Sequence, residues 1–350
     1  MPPEEGAGML EIDGAHGEGG GQLVRTAVAL AAIRGAPIRV RHVRAGRRNP
    51  GLAPQHVAAL RAVASMCDAR CEGVEPRSTE LTFVPGRPRG GHYRVDVGTA
   101  GSITLVLQAM LPVAVACGER CGISIRGGTD VRAAPPADYF RCVLLPLLER
   151  MGLRAAFAID RRGYYPKGGG EVRLELAAKA RLAPLVVDEA GQLEGIDIHA
   201  HVAQLPREIA ERMVDAARLA LPPGLRVESQ IETLGAERSG GPGGAIVLTA
   251  RTTKTVLGAA QVAERGVRAE TLGQMAAESL AADLHAGATL DVHAADQMLV
   301  FLALAQGESR FRVRELSSHA RTAIWLLERF SAARSAVRKE AAAVSVRVGS

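Results

Sequence analysis

The feature that narrows the fold most is a repeat: the order strand, helix, strand, helix, strand, strand occurs three times along the chain. In the first copy residues 9–15 read as a strand, and 22–34 as a helix with apolar residues at Leu23, Val24, Ala27, Val28, Leu30 and Ala31. Gly35 and Pro37 end that helix. A second strand at 38–43, a second helix at 54–67 and β-rich runs at 71–75 and 80–84 complete the unit. The second copy has a strand at 93–97, the turn GTAGS, a helix at 103–117, a strand at 122–126, a helix at 136–151 and a hairpin through 155–159 and 171–176. The third has a strand at 289–293, a helix at 295–305, a strand at 310–314, a helix at 318–333 and a β-rich end at 343–348. Three such units predict an α/β protein of the α+β type. One large pseudo-symmetric domain is expected from 1–182 and 288–350, with repeats at about 9–85, 91–177 and 289–349, its sheets facing one way and its helices the other. Residues 183–287 fall outside the pattern. They read as strand 196–203, helix 206–220, strand 225–231, the loop GAERSGGPGG, strands near 245–251 and 256–262 and helix 268–285, which predicts a smaller inserted α/β domain.

A chain of 350 residues, 47% hydrophobic, has enough apolar material for real cores. Its longest apolar segment, 103–117, is interrupted by Gln108 and Pro112 and is shorter than the ~20 residues a membrane helix needs. The start, MPPEEGAG, has neither a basic nor an apolar stretch of a secretory leader, so a cytoplasmic protein with no membrane partner is expected. Five cysteines include two Cys-x3-Cys pairs, Cys67 with Cys71 and Cys117 with Cys121. Zinc is the sharp reading, but these pairs close helices rather than form knuckle-like turns, and small thiols in a reducing cytosol account for all five.

The net charge of +6 is unevenly spread: residues 19–67 contain no carboxylate, yet hold Arg25, Arg34, Arg39, Arg41, Arg44, Arg47, Arg48 and Arg61. A one-sign field rich in guanidinium forks suits phosphate-bearing ligands, nucleotides or nucleic acid. With aromatic residues at 3%, extended base stacking is not expected, and a nucleic acid would be gripped by its phosphates. The same segment begins beside a glycine loop, DGAHGEGGGQLVR, that opens onto the first helix. Gly17, Gly19, Gly20 and Gly21 can take positive φ, so backbone N–H groups can converge on a phosphate at the helix start. Glu18 is repelled by such a ligand unless a divalent cation lies between them, which makes it a candidate metal ligand.

Of nine histidines, His42, His92, His199 and His201 on strand-like stretches and His285 near a helix end read as partly exposed structural imidazoles. His16 lies in the glycine loop. His56 and His319 each open the second helix of a repeat, where the helix dipole disfavours the cation and keeps the ring neutral and nucleophilic. Such a ring suits attack on phosphorus, and the pattern does not choose between the two. Asp296 and Gln297 open a helix at the position matching Glu18 and Gln22 in the first copy, so carboxylates of two repeats can share a metal or hold an imidazole tautomer, with helix capping as the alternative for Asp296.

Taken together and in order, DGAHGEGGGQLVR, RAGRRNPGL with QH, GTAGSITLVLQ, GGTD, PPAD, YYP-x-GGGEV, ADQ and SSH resemble the RNA 3′-terminal phosphate cyclase family over about Leu10 to Val348. The resemblance implies ATP-dependent conversion of an RNA 3′-terminal phosphate to a 2′,3′-cyclic phosphate, through a histidine adenylate and an adenylylated RNA end, with Mg²⁺ or Mn²⁺. It implies that His319 is the nucleophile and Glu18 the metal ligand. Gln22, Arg25, Arg44, Arg47, Gln55 and His56 would surround the ATP phosphates and the RNA end. Gln108, Pro135, Asp296 and Gln297 would line the adenosine pocket. The family often carries Tyr where this chain has His293, which would alter stacking on adenine. A branch that acts in ribosomal RNA processing as a non-catalytic RNA-binding factor lacks the histidine, and enzymes that transfer enolpyruvyl groups share the repeated unit. Both a monomer and a homodimer are compatible with the pattern.

Overall fold

Apolar alternation at Ile38 and Val40 puts both side chains at 0% exposure under the first helix, and the rest of the first repeat follows from that burial. The computed structural model describes residues 8–179 and 181–349; the first seven residues, on which the leader expectation falls, lie outside the described ones. The repeat comprises β1 (Leu10–Asp13), α1 (Gly21–Arg34), β2 (Ile38–Arg41), α2 (Pro54–Cys67), β3 (Arg70–Glu72) and β4 (Leu81–Val84). Its sheet runs β1-β2-β4-β3, with β1 and β2 parallel and the other pairs antiparallel.

The second repeat reproduces that topology with β5 (Gly91–Asp96), α3 (Ile103–Cys117), β6 (Cys121–Gly127), α4 (Ala137–Tyr139), α5 (Leu145–Arg150), β7 (Ala155–Arg161) and β8 (Gly170–Leu176), in the order β5-β6-β8-β7. The helix expected over 136–151 is one run in which a π turn at Phe140–Leu144 joins α4 to α5. Pro146 has no N–H for the Cys142 carbonyl, and the widened turn absorbs the missing bond. A further sheet, β10-β9-β11-β12, follows from β9 (Leu193–Ala203), α6 (Arg207–Ala220), β10 (Val227–Leu234), β11 (Gly243–Thr252) and β12 (Val256–Val262), with α7 (Ala269–His285) packed on it.

The last part contains α8 (Val292–Leu304), β13 (Ser309–Val313), α9 (Ser318–Arg329), β14 (Arg334–Lys339) and β15 (Val344–Gly349), with a sheet ordered β13-β15-β14. Here the structure corrects the sequence reading. The strand expected at 289–293 does not form, because the Asp291 carboxylate accepts the N–H groups of His293 and Ala294 at 3.1 and 3.0 Å and starts α8. Thr289 and Leu290 still donate to the Arg312 carbonyl of β13 at 2.8 and 3.1 Å, but the parallel pairing on β13 is made by residues that precede β9: Arg310 N–H donates to the Leu185 carbonyl and Val187 N–H to the Arg310 carbonyl, both at 2.8 Å. The parallel partner of the third sheet therefore arrives from before residues 193–285. The helix expected to reach 333 stops at Arg329, and 334–339 pairs with β15 as an exposed edge strand.

Among the described residues two large hydrophobic cores result, with a small cluster of Tyr164, Ala203 and Leu234 besides. One runs continuously through the sheets of β1–β4, β5–β8 and β13–β15 and their helices, with α3 packed against α1, α2 and α8. The other lies within residues 196–288. Each buried Leu, Ile or Val in them contributes roughly 1.5–3 kcal/mol relative to exposure. Among the described residues no helix is long and apolar enough to cross a membrane.

Candidate active site

Helix α9 carries its chemistry against the glycine loop of the first repeat, and its own sequence sets the placement. Ser317 is the N-cap: its Oγ accepts the Ala320 N–H at 2.9 Å and donates to Asp296 Oδ1 at 2.5 Å. That leaves His319 in the first turn of α9. On the same face, spaced at helical intervals, Thr322 Oγ1 accepts the Glu18 N–H at 3.2 Å, Trp325 stacks on His16 at 3.9 Å and 16°, and Arg329 donates to the Glu11 carbonyl at 3.1 Å. The loop admits the helix because Gly17 has φ +60°, and a Cβ there would collide with Thr322 Oγ1. Of the glycines expected to take positive φ, Gly17 and Gly19 do so. Gly20 instead is the extended N-cap of α1, and α1 starts with no side-chain cap and no acidic residue in its first turn.

Glu18 is the centre of the arrangement. Its side chain is 3% exposed; Oε2 accepts Arg47 Nη2 at 2.5 Å, and Oε1 faces His319 Nδ1 at 3.7 Å, beyond hydrogen-bond length. Neither Oε1 nor that Nδ1 has another partner. Burial pushes the Glu18 carboxyl up, but His319, Arg47 and the Leu23 backbone N–H outweigh it and hold the pKa below the usual value. In return the Glu18 carboxylate, against burial, raises the pKa of His319, with Asp296 adding to the lift. The dipole argument for a neutral ring is therefore overturned at His319: a full carboxylate charge facing Nδ1 exceeds the half charge of a helix end.

His56 behaves in the opposite way. Its Nδ1 accepts the Ala53 N–H at 3.0 Å, its Nε2 lies where a Cβ on Gly21 would sit, and burial with Arg25 and Arg44 nearby lowers its pKa to about 3. His56 is neutral at every ordinary pH. Arg25 is 6% exposed with Nε unpartnered, and burial lowers its pKa only to about 10, so it stays charged. Arg44 is tied by Nη1 to the carbonyls of Asn49 and Gly51 at 2.8 and 2.7 Å.

A cavity of about 620 Å³ opens in front of these groups, and every expected site residue lines it: Glu18, Gln22, Arg25, Arg44, Arg47, Gln55, His56, Gln108, Pro135, His293, Asp296, Gln297 and His319. Gln55 Oε1 accepts the Ser102 N–H at 3.4 Å, which joins the first repeat to the second. The Pro135 carbonyl accepts from Thr104, and the Gln297 amide donates to the His293 carbonyl at 3.0 Å. Asp296 is not the cap of its helix, a role Asp291 takes. It is a buried acid with a raised pKa, bound to Ser317.

The sequence reading missed other residues of the lining. Gln261, Val262 and Glu264 reach it from the end of β12, with Arg132 beside Glu264 at 3.6 Å. It also assigned His201 to the partly exposed histidines, whereas that ring is 0% exposed. The cysteines form no metal cluster among the described residues, and Cys71 is exposed while Cys67 and Cys121 are buried.

Fold and site together define an α/β protein with a cationic cleft closed by a histidine-bearing helix. A family model for RNA 3′-terminal phosphate cyclase matches residues 16–337. The RNA 3′-terminal phosphate cyclase of Nitrosospira multiformis is 53% identical over 339 residues, 97% of this chain and 96% of that one. The protein of the same name from Methanopyrus kandleri is 45% identical over 327 residues, 92% and 93% of the two chains. Among solved structures the enolpyruvyl transferase NikO from Streptomyces tendae aligns with 97% of this chain and 48% of its own length, at 12% identity and a TM-score of 0.38. The chain belongs to the RNA 3′-terminal phosphate cyclase family.

Proposed function

We propose that the protein converts an RNA 3′-terminal phosphate to a 2′,3′-cyclic phosphate at the expense of ATP, with His319 as the adenylylated residue. The observation that carries this reading is the position of His319 beside Glu18 at the mouth of an arginine-lined cavity. His319 Nε2, the nitrogen turned from Glu18, attacks the α-phosphorus of ATP and pyrophosphate leaves, giving a phosphoramidate. A terminal phosphate oxygen of the RNA then takes the AMP from the ring. The neighbouring 2′-hydroxyl then attacks the phosphorus of the RNA's own 3′-phosphate, losing its proton to solvent; the bond from that phosphorus to the AMP oxygen breaks, AMP leaves and the ring closes. Adenylylation supplies the leaving group that a phosphate dianion lacks, and the neighbouring hydroxyl is already in place.

Arg25, Arg44 and Arg47, with Gln22, Gln55 and neutral His56, would hold the ATP phosphates and the RNA end. Gln108, Pro135, His293, Asp296 and Gln297 would surround adenosine. A divalent ion fits Glu18, whose buried Oε1 has no partner, because Mg²⁺ or Mn²⁺ takes one or two carboxylates and completes its shell with phosphates and water. Bound there it would neutralise phosphate charge and draw the Glu18 charge away from His319. Residues 1–182 with 288–350 would be the catalytic body, and the separate core within 196–288 supports treating the remainder as a smaller domain that adds one wall to the cleft. RNA and ATP as substrates are compatible with a cytoplasmic protein.

The test uses ATP labelled at the α-phosphate with Mg²⁺ or Mn²⁺. Label should survive denaturation, be released by acid and resist alkali, and His319→Ala should retain none. Labelled His319→Ala protein would move the nucleophile elsewhere. RNA binding that weakens steeply with salt, without any covalent label, would point to a non-catalytic RNA-binding role.

A further inference from the structure

A second group of histidines and carboxylates lies away from His319, where the second repeat meets the β9 sheet. His199 and His201 are two apart on β9, so both rings leave the same face of the strand. That face meets Asp138 at the start of α4. His199 Nδ1 and His201 Nδ1 lie 3.5 and 3.3 Å from the same oxygen, Asp138 Oδ2, and one donor atom from each residue falls within 4.8 Å of the others. Zinc held at ~2.0–2.1 Å in a tetrahedral shell separates its ligands by about 3.3–3.4 Å, close to these spacings. Asp138 is 0% exposed and His201 0%, and the Nδ1 atoms of both histidines have no hydrogen-bond partner.

The surroundings fit a cation. On its far side His201 Nε2, which has no hydrogen-bond partner, faces Asp130 Oδ2 at 3.6 Å, just beyond hydrogen-bond length and on the side where a carboxylate orients a metal-bound histidine. Arg162 reaches Asp138 Oδ2 at 2.6 Å, Asp130 Oδ2 at 3.5 Å and Glu232 at 3.8 Å, while Arg141 reaches Asp138 Oδ1 at 2.6 Å from the half-exposed edge. Within the fully buried set, two carboxylates therefore face one guanidinium. The arginines compete for Asp138, but each carboxylate oxygen has two lone pairs and Oδ2 can serve Arg162 and a metal at once.

We propose that Asp138, His199 and His201 form a divalent-cation site of the zinc class that fastens the β9 sheet to the second repeat. The open coordination position goes to water, and the role is structural. Because Asp138 precedes Tyr139, a wall residue of the active-site cavity, the ion would stiffen that wall without touching substrate. The inference is independent of the cyclase reading.

The full chain is stripped with a chelator and titrated with Zn²⁺, with metal content measured by mass spectrometry and stability by thermal melting. The same is done on Glu18→Gln, to subtract binding at the cleft, and on His199→Gln and Asp138→Asn in that background. Retention of a single Zn²⁺ by Glu18→Gln, a rise in Tm with Zn²⁺, and loss of both in His199→Gln are the expected results. Co²⁺ in place of Zn²⁺ should give four-coordinate visible bands that vanish in the same variant. His199 is at the rim, so its variant should fold even if Asp138→Asn does not. Zinc uptake unchanged by His199→Gln would overturn the proposal. So would a doubly protonated His201 seen by ¹⁵N NMR in both stripped and zinc-treated protein, since an imidazolium would then be the bridge.

Discussion

His319 and His201 face carboxylates at similar range, 3.7 Å to Glu18 in one case and 3.3 and 3.6 Å to Asp138 and Asp130 in the other, yet their proposed roles differ. The His319 side chain is 45% exposed in a cavity, while that of His201 is 1% exposed between two packed cores. The same chemical pair opens onto the large cavity at the first position and lies outside that cavity at the second, with room for no more than an enclosed ion. On the roles proposed for the two rings, exposure, not the identity of the pair, would separate chemistry from cohesion. The two places should therefore respond to substitution in opposite ways.

The largest effects test this inversion. His319→Asn should lower adenylate formation by about 10⁴-fold or more, as loss of a nucleophile does, and shift stability by no more than about 1 kcal/mol. His201→Asn should cost about 3–5 kcal/mol, since two buried carboxylates lose a shared partner, while labelling per folded molecule stays within about threefold. Denaturant melts and α-labelling of both variants settle the contrast. A His319→Asn variant that unfolds, or a stable His201→Asn variant that no longer labels, would break it.

Glu18→Gln comes next. Removing the carboxylate takes away the main cause of the raised His319 pKa, so the ring should titrate lower by NMR. Label formation should still fall, by roughly 10²–10³-fold, because the site loses a fixed charge at the reacting phosphate. A His319 pKa that does not move would show that Glu18 is not the group acting on the ring.

A third carboxylate sharpens the buried side of the comparison. Asp283 on α7 accepts Arg314 Nε from just beyond β13 at 3.0 Å, and burial with Asp291 nearby pushes its pKa up to about 6 despite that partner. A carboxyl raised in the fold favours the protonated protein. Its contribution is present below about pH 4 and lost as pH rises through about 6. Stability should fall by about 2 kcal/mol across that window, and Asp283→Asn should flatten the slope. Urea melts at pH 4 and pH 7 measure it; an unchanged slope would place the titration elsewhere.

Much of this was legible in the sequence, and the failures are physical. The first two repeats declare themselves because strands such as β2 alternate cleanly and helices such as α1 end at Gly35. The stretch TLDVH at 289–293 alternates in the same way, yet Asp291 is a capping residue and the helix wins locally. Strand β14 is an exposed edge with little apolar signal. The cleft residues could be named from motifs, but the seating of α9 could not, because Thr322 and Glu18 are 304 residues apart and meet only in three dimensions. The same holds for His201: alternation marked it as a strand residue, and nothing local told that α4 would cover it.

That long-range seat supplies the smallest effect. Thr322 Oγ1 accepts the Glu18 N–H at 3.2 Å and donates to the Ser318 carbonyl at 2.9 Å, so one hydroxyl ties the glycine loop to the first turn of α9. Thr322→Val keeps the shape and removes both bonds. The loss should be about 1 kcal/mol, part of it the cost of leaving the Glu18 N–H unpaired, and Tm should fall by no more than about 3 °C. Adenylate formation should drop by about five- to tenfold, since the ring and the loop are no longer held in register. His319 should keep its raised pKa, because Glu18 remains. If the labelling defect instead equals that of Glu18→Gln while the pKa stays put, then the position of α9, rather than the Glu18 charge, is what the cleft supplies to His319.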